Sequence, residues 1–268
     1  MIIPYEPDYF QPTNNIFARL GRFFLVSLRN AGRGLVIISE AFINLHLIYR
    51  RMDEFMRQIV LSGIKSFHVT STVALFTGMI LALQAGLELR NFGQEMRVGT
   101  LVTQSMCREM GPFMTALILA ASVGAAMAAE LGTMAVSEEI ASLEVMSINP
   151  VRFLVMPRLA AMMIMCPILT IYTVIIGVLG GGLVAYTQLN VSWETYYDYS
   201  LYYLTQKEIW VGMLKAFVFS IIIVAISCYQ GLAARGGAVG VGIATRRSVV
   251  ISFLMILIVG YFITRFFY

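Results

Sequence analysis

Arg108 and Glu109 stand side by side just before Gly111-Pro112, at the mouth of a stretch, 110–129, that holds no Lys, Arg, Asp or Glu. An acid and a base at the edge of so apolar a run are costly to bury, so they face a cavity or a partner. A long basic side chain can instead bury its stem and lift its charge towards water. Arg246-Arg247, directly before the uncharged run 248–264, suit such anchoring. The short stem of Glu109 suits it poorly, which assigns Glu109 to a cavity or an ion pair. Glu130, at the far end of the same run, reads as a cap or anchor.

Other chemistries are excluded by what the chain lacks. Nucleotide-binding loops of the Gly-x-x-x-x-Gly-Lys-Ser/Thr type need a lysine after glycine. The lysines here, Lys65, Lys207 and Lys215, follow no glycine. No His-Glu-x-x-His, Gly-x-Ser-x-Gly or paired-cysteine motif is present. Cys107, Cys166 and Cys228 lie scattered among apolar neighbours, and His46 and His68 are far apart without acidic partners. No metal site, cofactor or catalytic set is expected. If energy is consumed, another subunit hydrolyses the nucleotide.

The elements that must position these charges are membrane spans. Uncharged runs cover 66–87, 110–129, 159–193, 216–234 and 248–264. About 20 apolar residues cross a bilayer core of about 30 Å. The sequence is 59% hydrophobic and 13% charged, against about 25% charged in soluble domains. The expected fold is an all-α integral membrane protein: an N-terminal interfacial amphipathic helix, five transmembrane helices and a short cytoplasmic helix between the second and third. Residues 1–65 form the N-terminal cytoplasmic or interfacial segment and 66–268 the five-span domain. The net charge of +4 is modest, a topology signal and not a nucleic-acid footprint. Lys and Arg near the span ends number thirteen on the side of the N-terminus and six on the other. That places the N-terminus in the cytoplasm and, with five spans, the C-terminus outside.

Between residues 14 and 33, Ile16, Phe17, Leu20, Phe23, Phe24 and Leu28 share one helical face while Arg19, Arg22, Arg29 and Arg33 share another. This is the pattern of a helix lying on a membrane with its cations at lipid phosphates. Gly111-Pro112 reads as the opening of the second span. Small residues at Ala120, Gly124 and Ala128, and at Gly177 and Gly181, let helices approach closely in lipid. The segment 190–208, dense in tyrosine, with Trp193 within it and Trp210 just beyond, reads as an external loop or half-helix at the outer interface. After the second span, Ser137 is expected as an N-cap with Glu138 and Glu139 in the first turn. Val136, Ile140, Leu143 and Met146 recur at helical spacing, and Asn149-Pro150 stops the helix. Such a helix serves equally as a docking element or as a surface connector.

These pieces, taken in order, resemble the MlaE-type (YrbE-like) permeases, the membrane subunits of Mce-system lipid ABC transporters. The resemblance covers about residues 55–268. It rests on Arg108-Glu109-Met110-Gly111-Pro112, Ala129-Glu130-Leu131-Gly132-Thr133-Met134, Glu138-Glu139-Ile140, Leu143-Glu144-Val145-Met146, Asn149-Pro150, Pro157-Arg158, Thr77-Gly78-Met79 with Leu83-Gln84, and Gly242-Ile243-Ala244-Thr245-Arg246-Arg247. It implies a permease acting as a homodimer in a bacterial inner membrane, with cytosolic ATPase subunits, periplasmic Mce-domain subunits and phospholipid or a related lipid as cargo. Ser137, Glu138, Glu139, Ile140, Leu143, Glu144 and Met146 then form the coupling helix. Glu109 and Arg247 become the polar part of a lipid cavity that Gly78, Met79, Leu83 and Gln84 line. The chain departs from the family in Glu138-Glu139, where Glu-Gln is more frequent. Two other classes compete: a secondary transporter, which would show repeats around midplane charges, and a scaffold that recruits a cytosolic partner through residues 137–147.

Overall fold

The computed structural model describes residues 16–268, and within 16–31 it describes the side chains of Leu25 and Arg29 only. The expected roles of Arg19 and Arg22, and of residues 1–15, lie outside the described residues. Every described element is helical. Helix α1 (Ile16–Ile43) leads through a 3-10 turn (Leu45–Arg51) into α2 (Met52–Ser62) and, after a second 3-10 turn (Ile64–Ser66), α3 (Phe67–Arg90). Helices α4 (Val98–Ser105), α5 (Gly111–Leu119) and α6 (Ala125–Val136) form one run interrupted by two π-helical turns, Met106–Met110 and Ala120–Gly124. The short α7 (Glu139–Val145) follows. A further π turn (Val151–Val155) opens α8 (Met156–Gln188), and α9 (Trp193–Tyr202), α10 (Gln206–Leu232) and α11 (Gly237–Phe267) complete the chain.

Five helical runs are long and apolar enough to cross a membrane: Leu45–Arg90, Glu95–Val136, Val151–Gln188, Gln206–Leu232 and Gly237–Phe267. Each contains one of the uncharged runs or most of it and extends beyond it, because a helix does not stop at the edge of the hydrocarbon.

Burying apolar area against other apolar area gains little inside lipid, so close packing and buried hydrogen bonds must hold spans together. Helix α3 packs on α8, and the contact is tightest at Gly78: a Cβ there would lie 1.7 Å from the carbonyl oxygen of Gly177. The Thr115 and Thr173 hydroxyls meet at 2.8 Å between α5 and α8, and Ser248 donates to Ser227 at 2.9 Å between α11 and α10. Interhelical bonds of this kind contribute on average about 0.6 kcal/mol in membranes. One core holds Leu119, Val123, Met127, Leu131, Leu159, Met162, Phe219 and Ile223, and Ile38 and Ala41 of α1 join it. A second, towards α9, gathers Ala82, Val98, Val102, Met106, Val184 and Tyr196.

Three boundary expectations need correction. Gly111-Pro112 does not open a helix, because the chain is already helical from Glu95 and passes through it. Ser137 is not an N-cap. Helix α6 runs to Val136, so the Ser137 hydroxyl reaches back to the Thr133 carbonyl at 2.9 Å. Glu138, at φ 62°, takes the position before α7. The helix expected over 137–147 is correspondingly shorter. Asn149-Pro150 begins the next turn and does not end α7, since the Asn149 Oδ1 accepts from the Val151 amide at 2.9 Å and the Arg152 amide at 3.3 Å.

Candidate functional site

Proline has no N–H, so the carbonyl four residues before it in a helix loses its partner. Pro112 therefore offers the Arg108 carbonyl no amide, and the backbone just before it is widened into the π turn Met106–Met110. π turns are frequent at functional sites. Lys215 of α10 fills the vacancy: its Nζ donates to the Arg108 oxygen at 2.7 Å. The same ammonium donates to Glu109 Oε1 at 2.6 Å and to Thr264 Oγ1 of α11 at 2.7 Å. Its three hydrogens thus meet three acceptors, which offsets the cost of burying an ammonium 1% exposed. Thr264 in turn donates to Glu109 Oε1 at 2.5 Å.

One residue earlier in the turn, Arg108 pairs with Glu208, donating from Nε at 2.9 Å and from Nη2. Glu208 also accepts from the Thr205 amide at 3.2 Å, closing the capping box of α10. Glu208 and Lys215 are seven residues apart on one helix face, so adjacent charges of the π turn meet partners two turns apart on α10. The Arg108 guanidinium lies 4.6 Å from the centre of the Tyr268 ring, and Lys207 Nζ lies 4.7 Å from the same ring. Of the two ion pairs, Lys215 and Glu208 are buried while Glu109 and Arg108 remain 42% and 37% exposed. The cluster therefore presents one carboxylate and one guanidinium side by side, each held from behind.

Within one chain the cation bonded to Glu109 is Lys215. Arg247 is exposed near the opposite end of α11. Glu109 touches Thr264, seventeen residues further along that helix, about 25 Å at 1.5 Å per residue. Gly78 is buried against α8, and Met79 packs partly into the second core. Leu83 and Gln84 are exposed on the outward face of α3. Lys215 and Glu208 were not singled out by sequence reasoning. The available signal was that two charges at the mouth of one span require counter-charges at similar depth on a neighbour.

At the other end of the bundle, Ile140 is buried and Leu143 half-buried against the core. Ser137, Glu138, Glu139, Glu144 and Met146 are exposed, and Val145, also missed, is 86% exposed. The tip of α7 is thus an apolar pair rimmed by carboxylates. Glu130 accepts from Arg158 Nη2 at 2.9 Å and so ties α6 to α8 at the base of this loop. Arg33 is half-buried and Arg29 exposed on α1. Helix α9 begins at Ser192, whose hydroxyl accepts from the Thr195 amide at 3.2 Å. Tyr196, buried beneath α9, donates to the Val178 carbonyl at 2.8 Å, and burial pushes its hydroxyl above the ordinary tyrosine range.

No group of His, Cys, Asp or Glu that could hold a metal occurs among the described residues. Fold and site together define a multi-pass, all-helical membrane protein with a paired-charge cluster near one end and an exposed connector helix at the other. The chain belongs to the MlaE permease family: residues 55–266 match the family described as Permease MlaE. It is 40% identical over 210 residues to a probable ABC transporter permease of Rickettsia typhi, covering 78% of this chain and 81% of that one. It is 31% identical over 256 residues to the intermembrane phospholipid transport system permease protein MlaE of Haemophilus influenzae, covering 93% and 96%. It is also 32% identical over 213 residues, 80% of this chain and 61% of the other, to the chloroplastic protein TRIGALACTOSYLDIACYLGLYCEROL 1 of Arabidopsis thaliana.

Proposed function

We propose that this permease is the membrane subunit of an ATP-driven transporter that moves phospholipid between a bacterial inner membrane and the outer envelope. In this reading it works as a homodimer with its N-terminus cytoplasmic and its C-terminus periplasmic. Cytosolic ATPase subunits seat on α7, and Mce-domain subunits cover the opposite face. Residues 66–268 form the permease body, and 1–65 lie along the cytoplasmic membrane surface.

The observation that carries the reading is the half-exposed pair Glu109 and Arg108, each backed by a buried counter-charge. A phospholipid head group such as phosphatidylethanolamine bears an anionic phosphate and a cationic amine. Arg108 can offer charge-assisted donors to the first and Glu109 an acceptor to the second. Leu83 and Gln84 on the outward face of α3 form the wall against which a second protomer completes the cavity. Arg247 contacts head groups at the inner end.

The test is reconstitution of the co-expressed permease and ATPase in vesicles of phosphatidylethanolamine and phosphatidylglycerol carrying a fluorescent phosphatidylethanolamine. ATP-dependent transfer of the fluorescent lipid is expected, reduced at least ten-fold by Glu109→Ala. Transfer that ignores ATP, or a permease that never retains the ATPase, would sink the proposal.

A further inference from the structure

Three contacts enclose the loop that carries α7, and one of them leads out of the five-span bundle. The first is Glu130 with Arg158, which joins the helices on either side of the loop. The second is the Arg51 guanidinium, 3.7 Å from the centre of the Phe153 ring in the π turn after the loop. The third is Asn149, whose amide is used at both ends. Its Oδ1 caps the π turn through the Val151 and Arg152 amides, and its Nδ2 donates to Glu40 Oε1 of α1 at 2.6 Å. Helix α1 also packs on that π turn and on α10, with Ile38 and Ala41 inside the main core. The exit of the α7 loop is therefore bonded to the N-terminal helix by a short hydrogen bond to a carboxylate, the stronger kind.

We infer that Asn149 is a positioning residue that makes α1 and the α7 loop move as one body, so that displacement of α7 reaches the N-terminal helix. The inference rests on the ATPase-coupling role given to α7 above. Only a primary amide serves this joint. A carboxylate at 149 would keep the cap, lose the donor and face the Glu40 carboxylate. Alanine would lose both. Glutamine at position 40 would keep an acceptor for Asn149.

The experiment uses the full chain with its co-expressed ATPase in vesicles of the composition above. Three quantities are read: ATP hydrolysis, fluorescent phosphatidylethanolamine moved per ATP, and the spin–spin distance between labels on Ser39→Cys and Ser142→Cys. Both sites are exposed, whereas Cys107, Cys166 and Cys228 are buried. Asn149→Asp and Glu40→Ala should leave hydrolysis within two-fold, lower the lipid moved per ATP at least ten-fold, and broaden the distance distribution. Glu40→Gln should match the parent protein in all three. A narrow distribution and unchanged yield in Asn149→Asp and Glu40→Ala would overturn the inference. So would loss of ATPase binding in those variants, which would make the pair part of the docking surface or of the fold. Should the unsubstituted complex neither bind ATPase nor move lipid, the proposed function fails. The label distance, measured without ATPase, still decides the joint.

Discussion

Lys215 shows how much one side chain can hold together. From α10 it satisfies the Arg108 carbonyl and the Glu109 carboxylate of one π turn and the Thr264 hydroxyl of α11. Removing one partner of a fully buried pair typically costs about 3–5 kcal/mol, and the 42% exposure of Glu109 lowers that cost here. Lys215→Met is therefore expected to lower the thermal unfolding midpoint in detergent sharply, and adding Glu109→Gln should recover part of the loss. A double variant no better than the single one would show that the pair is not the source. The sequence made Glu109 conspicuous because it adjoins an uncharged run. It hid Lys215, which counts as an ordinary boundary charge until the register of α10 against α5 is known. Register depends on tertiary packing, and no local pattern encodes it.

At the level of elements, the uncharged runs located the five spans, but not their breaks. Two π turns, Met106–Met110 and Val151–Val155, each precede a proline by two residues, Pro112 and Pro157. Reading Pro112 as a helix start follows from the tolerance of proline at first turns. At Pro112 the buried Lys215 ammonium donates across the interface to the carbonyl four residues before the proline. Close approach makes a second prediction at this scale. Gly78→Ala places a methyl against the Gly177 backbone, and overpacking of this kind costs about 1–3 kcal/mol. Gly32→Ala on α1 meets nothing within 4 Å and should be neutral or stabilising by up to about 1 kcal/mol. Unfolding midpoints of the two variants, measured side by side, check the contrast. A destabilised Gly32→Ala would contradict it.

For the whole molecule, the long unpaired apolar faces and the small exposed helix divide the labour between lipid and partner. Ile140 and Leu143 anchor α7 inward, leaving Val145 and Met146 outward. Met146→Asp and Val145→Asp should abolish retention of the ATPase while the permease still reaches the membrane in normal amount. Ile140→Asp, by burying a charge, should instead reduce the amount of folded permease. Retention unaffected by both outward substitutions would remove α7 from the coupling role. The amphipathic repeat in 136–146 made this helix legible. Which residue faces out was less so, because a left-handed Glu138 resets the helix phase after α6.

The closed arrangement around Lys215 also bears on the electrochemical life of the host cell. Every hydrogen of the amine is engaged, and the neighbouring Thr264 can pass its own only to Glu109 or the Gly260 carbonyl. Among the described residues the ammonium and this hydroxyl are thus held within one closed set of hydrogen bonds. Substituting Lys215→Met opens that set, and vesicles holding the variant should lose an imposed pH gradient no more slowly than those holding the parent permease.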